Sequence, residues 1–510
     1  MTTFLDKNEK RDLDILYHLY SEDKLWSAEE LATVANCSVK SVTSSVSTLN
    51  ELISEYDLDC WIQIERHLGI RLCTDSYASI YHLESLYIQN TITYQLMDKL
   101  FHERDLSITK LQDAFFLSRS SIYRKLAIIE TFILSNGFNF SKTELTITGP
   151  EASIREFFYL FYISIADDHF WPFKTVSQAH LENKLVKIEE ASHFKLSYAE
   201  KLRVLYRLAI NSVRYQQKHY VLELPDIVKI APNLEVELAA AAEYFMEGIP
   251  VKYQQLEYQY LSLVYLTYAN TIEVNNTLGI EEAVDWNRKE KTKAYELVAE
   301  LLDKMSNIYP QLDLSEYFAS SLFIYKLISV ANYALLYPML DVDLDLNDRW
   351  NKRFRSLTFS SLERPKFTEV LWELIVEIHE ENNRELINPH HVFYFIYSVF
   401  NQSLDLHIFE NTLKIKLIME AGYLSESELK EKLARLLGND AKIVTSDIRN
   451  DEKEPYDLII SDLPFLTIDY PDAKQQYIWA FPPMKRDWQN IKMMTEMLSF
   501  DSQKEKDASV

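Results

Sequence analysis

The sequence predicts a mainly α, multidomain protein. Two winged helix-turn-helix units come first, then two helical-bundle domains, then one small C-terminal α/β domain. Three observations predict this. Residues 27–53 repeat at 107–133 without a gap. From about 151 to 408 the apolar residues recur at helical spacing. From about 411 short apolar strands alternate with helices, the pattern of a parallel sheet. Of the 510 residues 47% are hydrophobic, enough for several cores, and only 7 are Gly, which argues against Gly-rich phosphate loops and most β-rich folds.

The repeat carries the most information. With a shift of 80, Ser27 falls on Ser107, Leu31 on Leu111, Ser38 on Ser118, Val42 on Ile122, Val46 on Leu126 and Leu49 on Ile129. Ser27 and Ser107 are N-caps of a short helix, and Glu30 completes a capping box with Ser27. That helix ends near Ala35 or Phe115, and Ser38 or Ser118 caps a second one. The second helix has one apolar face to pack on the first. Its other face is polar: Lys40, Ser41, Thr43, Ser44 and Ser47 in one copy, Arg119, Ser120, Ser121, Arg124 and Lys125 in the other. After each copy comes a strand–turn–strand pattern, Trp61–Arg66 with Ile70–Cys73, then Phe138–Phe140 with Leu145–Gly149. These read as wings.

A helix-turn-helix sends its second helix into the major groove N-terminus first, where hydroxyls and Arg or Lys suit phosphates and base edges. The candidate DNA-binding residues are therefore Ser118, Arg119, Ser120, Ser121, Tyr123, Arg124 and Lys125, with Lys40, Ser41, Thr43 and Ser44 in the first unit and Lys142 in the second wing. Arg119, Arg124 and Lys125 against Lys40 alone make the second unit the stronger head. The competing readings are a protein-interaction scaffold whose winged units bind no DNA and a phosphotransfer carrier with an attached head.

Net charge is −24, which excludes a generally basic coat but leaves room for a small basic site on an acidic body. The three cysteines Cys37, Cys60 and Cys73 lack CxxC spacing, so neither a disulfide framework nor a zinc site is expected. No apolar leader opens the chain and no apolar run is long enough to span a bilayer. The expectation is a cytoplasmic protein without cofactor, metal or catalytic cluster.

In the middle region helices are expected over Tyr198–Gln216, Leu234–Met246, Tyr253–Glu273, Glu281–Met305 and Leu314–Leu336, and the break near Ile280 divides two blocks. His219 follows the first of these helices beside Lys218 and Arg214; His379 sits among acids, and His390 and His391 are adjacent. At the C-terminus, strands are expected at Leu413–Ile418, Ala441–Thr445, Asp457–Ile460 and Gln476–Ala480, with helices at Ser425–Leu437 and Met484–Leu498. The expected domains are 1–85, 86–165, 166–280, 281–408 and 409–500, with a disordered tail at 501–510.

This order of parts resembles the Mga/AtxA family of virulence and global transcription regulators of Gram-positive bacteria. The resemblance is carried best by Leu117-Ser118-Arg119-Ser120-Ser121-Ile122-Tyr123-Arg124-Lys125-Leu126, then Leu145-Thr146-Ile147-Thr148-Gly149-Pro150-Glu151 and Ile154-Arg155-Glu156-Phe157. It implies a DNA-binding regulator, an activator by expectation. It implies that the helical blocks are phosphotransferase regulatory domains (PRDs), whose histidines take phosphate from the phosphocarrier protein of a sugar-uptake phosphotransferase system. His219 is the best positional match; in the second block Met339 stands opposite it, leaving His379, His390 or His391. It also implies an EIIB-like C-terminal domain that holds a homodimer together. The turn Met419–Tyr423 lacks the cysteine of carriers of that fold, which argues against carrier activity.

Overall fold

The computed structural model describes residues 5–65, 68–74, 77–166, 170–192, 196–267, 277–310, 314–337, 365–382, 386, 389–404, 406, 413–420, 423–437, 441–445, 456–463 and 473–507. The chain forms two compact units, 1–303 with 318–356 and 375–399, and 304–317 with 357–374 and 400–510.

In the first unit, α1 (Lys7–Ser21), α2 (Ala28–Val34) and α3 (Val39–Glu55) precede the hairpin β1 (Cys60–Glu65) and β2 (Gly69–Thr74). The capping box on α2 forms as expected, with the Ser27 hydroxyl accepting from Glu30 N and the Glu30 carboxylate from Ser27 N. The wing register pairs Glu65 with Gly69. Gly69 has φ +142°, and a Cβ there would stand 2.6 Å from the Trp26 carbonyl oxygen, so only glycine lets the wing close on the segment before α2. Next come α4 (Tyr77–Asn90), α5 (Ile92–His102), α6 (Ile108–Phe115), α7 (Arg119–Ser135), β3 (Asn139–Ser141) and β4 (Thr146–Thr148), repeating the plan.

The helix α8 (Glu151–Ile163) starts directly after the second wing and is buried from Ala152 to Tyr162. A helix buried all round belongs inside a core. The chain continues through α9 (Gln178–Ser192), α10 (Tyr198–Gln216), α11 (Pro232–Ala239), α12 (Ala242–Met246), α13 (Val251–Thr267), α14 (Thr277–Glu290), α15 (Lys293–Ile308), α16 (Ser315–Phe318) and α17 (Ser321–Leu336), and the charged residues of α8 pair with α10 and α13. Arg155 makes a two-bond pair with Glu257 of α13, both at 2.8 Å. Glu151 accepts from Arg155 at 2.9 Å and from Arg214 of α10 at 2.9 and 2.7 Å. Glu156 takes Arg207 of α10 at 3.0 and 2.6 Å and the Tyr333 hydroxyl of α17 at 2.9 Å. Buried charges persist only when paired and hydrogen-bonded in this way.

Some expected helices are interrupted. Leu234–Met246 divides into α11 and α12, and Glu281–Met305 divides at Lys291, which has φ +50°. The Thr292 hydroxyl there caps α15 at Tyr295 N and donates to Asn287 Oδ1. Glu273 and Met339 lie outside the described residues.

The chain continues through α18 (Pro365–Glu381), α19 (Pro389–Ser403), β5 (Leu413–Ile418), α20 (Tyr423–Leu437), β6 (Ala441–Val444), β7 (Leu458–Ser461), β8 (Gln475–Ile478) and α21 (Lys485–Asp507). The four strands form a parallel sheet in the order β6-β5-β7-β8. Leu417, Ile415 and Ile460 pack with Leu433 of α20 and Ile491 of α21 in its core. The last helix runs to Asp507, past the 501 boundary set for a tail; residues 508–510 lie outside the described residues.

Candidate nucleic-acid interface

The two candidate recognition helices, α3 and α7, are built alike. Ser38 and Ser118 accept from the backbone N–H of Ser41 and Ser121 at 3.1 and 3.2 Å. Val42, Val46 and Leu49, and Ile122, Leu126 and Ile129, are fully buried against the rest of each unit. The first turn of each helix faces out. Lys40, Thr43 and Ser44 are exposed and Ser41 half-buried; Ser118, Arg119, Ser120 and Arg124 are exposed, with Ser121 and Tyr123 half-buried. The Ser118 hydroxyl lies 2.9 Å from that of Ser120 and 3.0 Å from that of Ser121. The Arg119 guanidinium stands 5.7 Å from the Tyr123 ring centre, so the α7 end presents hydroxyls, a phenol and two guanidinium groups together.

One expected DNA contact is corrected. Lys125 does not face out. Its ammonium bonds Asp6 at 2.8 Å and Glu9 at 2.7 Å, both at the start of α1, and Thr93 of α5 at 3.1 Å. Its side chain is only 12% exposed. The Lys125 ammonium in turn helps hold the Asp6 carboxyl below the usual range, against the opposing effect of burial. Lys142 pairs with Glu130 of α7 and braces the second wing, leaving Thr143 and Glu144 exposed at the turn. The cations exposed on the first two turns of α7 are therefore Arg119 and Arg124.

The counterpart of Lys125 in the first unit is Ser45, and it too turns inward to α1. Its hydroxyl donates to Asp12 Oδ1 at 2.6 Å, and Asp12 also accepts from Tyr87 of α4 at 2.8 Å. Thus α1 is tied to both recognition helices.

The turn before α7 holds a residue that the sequence did not single out for contact. Phe116 has φ +52° and ψ +38°, the left-handed region, and is 94% exposed. Its N–H bonds the Gln112 carbonyl. In the first unit the same place is held by Asn36, φ +47°.

The candidate phosphorylation residues are scattered. His219 is exposed just beyond α10, and its carbonyl accepts from Arg155 at 3.3 Å. Partial burial and the neighbouring Arg214 hold its imidazole below the usual value, so it is neutral near pH 7. Arg214 is closed off by Glu151, but Arg104, in the loop before α6, bonds the Gln216 carbonyl at 2.9 Å and adds positive charge near His219. His379 lines an apolar cleft with Leu301, Leu327 and Val392, and its Nδ1 is buried. His390 and His391 fall in the first turn of α19, and their side chains lie outside the described residues. Among the described residues no cluster of ligands able to hold a metal forms, and no helix is long and apolar enough to cross a membrane.

Comparison with known proteins matches this geometry. Residues 76–162, which span α4 to α8 and so contain α7 and its wing, match the Mga helix-turn-helix domain. A capsule synthesis positive regulator of Bacillus anthracis, AcpB, is 24% identical over 241 residues, 45% of this chain and 49% of that protein. A second, AcpA, is 26% identical over 217 residues, 42% of this chain and 44% of that protein. The anthrax toxin expression trans-acting positive regulator of the same organism is 21% identical over 299 residues, 57% of this chain and 62% of that protein. The chain thus spans about half the length of the two capsule regulators.

Proposed function

We propose, from the premise that this chain is an Mga/AtxA-like regulator, that it binds promoter DNA through α7 and activates transcription. One observation carries the reading: the α7 N-terminus presents Arg119, Arg124 and the hydroxyls of Ser118 and Ser120 to solvent on a helix-turn-helix whose apolar face is buried. Such an end suits phosphate and base-edge contacts at once. The activating direction follows the relatives, named as positive regulators. DNA is the partner, and the cytoplasm is the compartment that supplies it.

The test is a gel-shift titration on chromosomal fragments recovered by footprinting, at several salt concentrations. Arg119→Ala with Arg124→Ala lowers affinity at least about tenfold, and each lost phosphate contact flattens the salt slope by about one unit. Lys40→Ala costs less. Equal losses from both heads overturn the ranking, and affinity indifferent to salt and to both arginines overturns the reading.

Regulation is proposed at His219. A neutral, exposed imidazole is the form that attacks a phosphorylated carrier protein, and Arg104 is placed to meet the added charge, about −1.5 to −2 by analogy with other phosphorylated side chains. Labelled phosphoenolpyruvate with the general phosphotransferase components labels the wild type and leaves His219→Ala unlabelled. Full labelling of the variant moves the switch elsewhere. The C-terminal sheet domain is proposed to hold a homodimer.

A further inference from the structure

The second turn carries a residue that its own fold does not explain. The tandem copies need a left-handed residue between their two helices. Asn36 meets that need in the ordinary way, because a short polar side chain tolerates the conformation. Phe116 meets it badly: bulky side chains avoid φ near +52°, and a phenyl ring 94% exposed buries nothing in return. The gain that offsets this local cost is therefore to be sought outside the molecule.

What it meets follows from its surroundings. Phe116 stands two residues before the N-cap of α7, so it shares the depth of the helix end that enters the groove. Around it Ser118, Arg119 and Ser120 are exposed polar groups. A protein partner would call for a wider apolar patch. A single apolar point among hydrogen-bond donors matches a major-groove edge, where the one apolar feature is the C5-methyl of thymine.

We infer that Phe116 is a specificity residue that packs on a thymine methyl at the edge of the site read by α7. This rests on the DNA-binding reading above and adds which base that turn selects. The left-handed backbone aims the ring away from the fold and holds it there.

The test uses the full chain and a duplex it selects from a random pool of 24-base-pair DNA. Each thymine is then replaced by uracil, which removes the methyl and nothing else. One or two replacements weaken wild-type binding about fourfold, the factor equivalent to ~0.8 kcal/mol for one buried methyl. Phe116→Asn binds the thymine duplex more weakly and becomes indifferent to the same replacements, while its melting temperature is equal or higher. A wild type insensitive to every replacement, or a Phe116→Asn variant that keeps the same sensitivity, overturns the inference and leaves the DNA reading standing. If the chain selects no duplex, or its affinity is indifferent to salt and to Arg119→Ala with Arg124→Ala, the DNA reading falls and this inference with it.

Discussion

His102, at the end of α5, packs among Phe101, Tyr162 and Phe173 with its Nε2 3.4 Å from Asp98 Oδ1. Burial lowers its pKa, and the same burial raises that of Asp98, which also accepts from the Tyr162 hydroxyl at 2.9 Å. The two act on stability with opposite signs. A histidine kept neutral by the fold stabilises it above the unfolded value of about 6.5, and this is lost as pH falls through that value and the unfolded chain takes the proton first. Asp98 stabilises the protonated form, a contribution that fades as pH rises from the ordinary carboxyl value through its raised one. The His102 effect governs the higher window. The full chain should therefore melt at progressively lower temperature from pH 7 to 5.5, and His102→Gln should flatten that decline; an identical slope in the variant would show that another group titrates. Cys60 is inert over this range, its thiol pushed up to about 11 chiefly by burial.

At the scale of elements, the sequence disclosed what its periodicity encodes and hid what tertiary contacts decide. The four helix-turn-helix helices were legible because capping serines and one-sided apolar spacing agree locally. The break between α11 and α12 was not, since it falls in the run Ala239-Ala240-Ala241-Ala242, where propensity favours a continuous helix. The turn at Lys291 depends on buried Thr292 bonding Asn287, a contact no local pattern announces. The role of Lys125 was missed because any charged residue off the apolar stripe read as outward; yet Lys125 adjoins Leu126 and lies one turn from Ile122 and Ile129, and the shift of 80 places it on Ser45, which is buried. The charges of α8 escaped for a similar reason: Arg155 and Glu156 stand just before the aromatic run that starts at Phe157, and only their partners Glu257 and Arg207 show them to be core residues. Removing one partner of such a pair typically costs ~3–5 kcal/mol, which is why α8 links the second wing to the helical blocks firmly.

At the scale of the molecule, the proposed function would confine DNA contacts on an acidic chain of net charge −24 to two small helix ends, so the number of heads would matter as much as their quality. The C-terminal domain shows a surface suited to doubling that number. Met493 and Met497 lie one turn apart on α21, 55% and 61% exposed, and Ile478 on the edge strand β8, Phe481 and Met484 are exposed nearby in sequence. Contiguous exposed apolar groups of this kind would mark an association surface. Deleting residues 409–510 should leave single chains by light scattering, and Met493→Glu with Met497→Glu should halve the mass of the full chain; a mass of two chains for both variants would place the dimer contact elsewhere. On the proposed function even a single chain carries two readers, and the salt bridges from Lys125 to Asp6 and Glu9 would set how they cooperate. With α1 clamped to both recognition helices, the second reader is not on a flexible tether searching for its site. Once α7 is seated, α3 is delivered at one fixed position, with an effective concentration high at one spacing of half-sites and close to zero at others. Promoters would then be told apart by the distance between two weak sequences as much as by the sequences themselves.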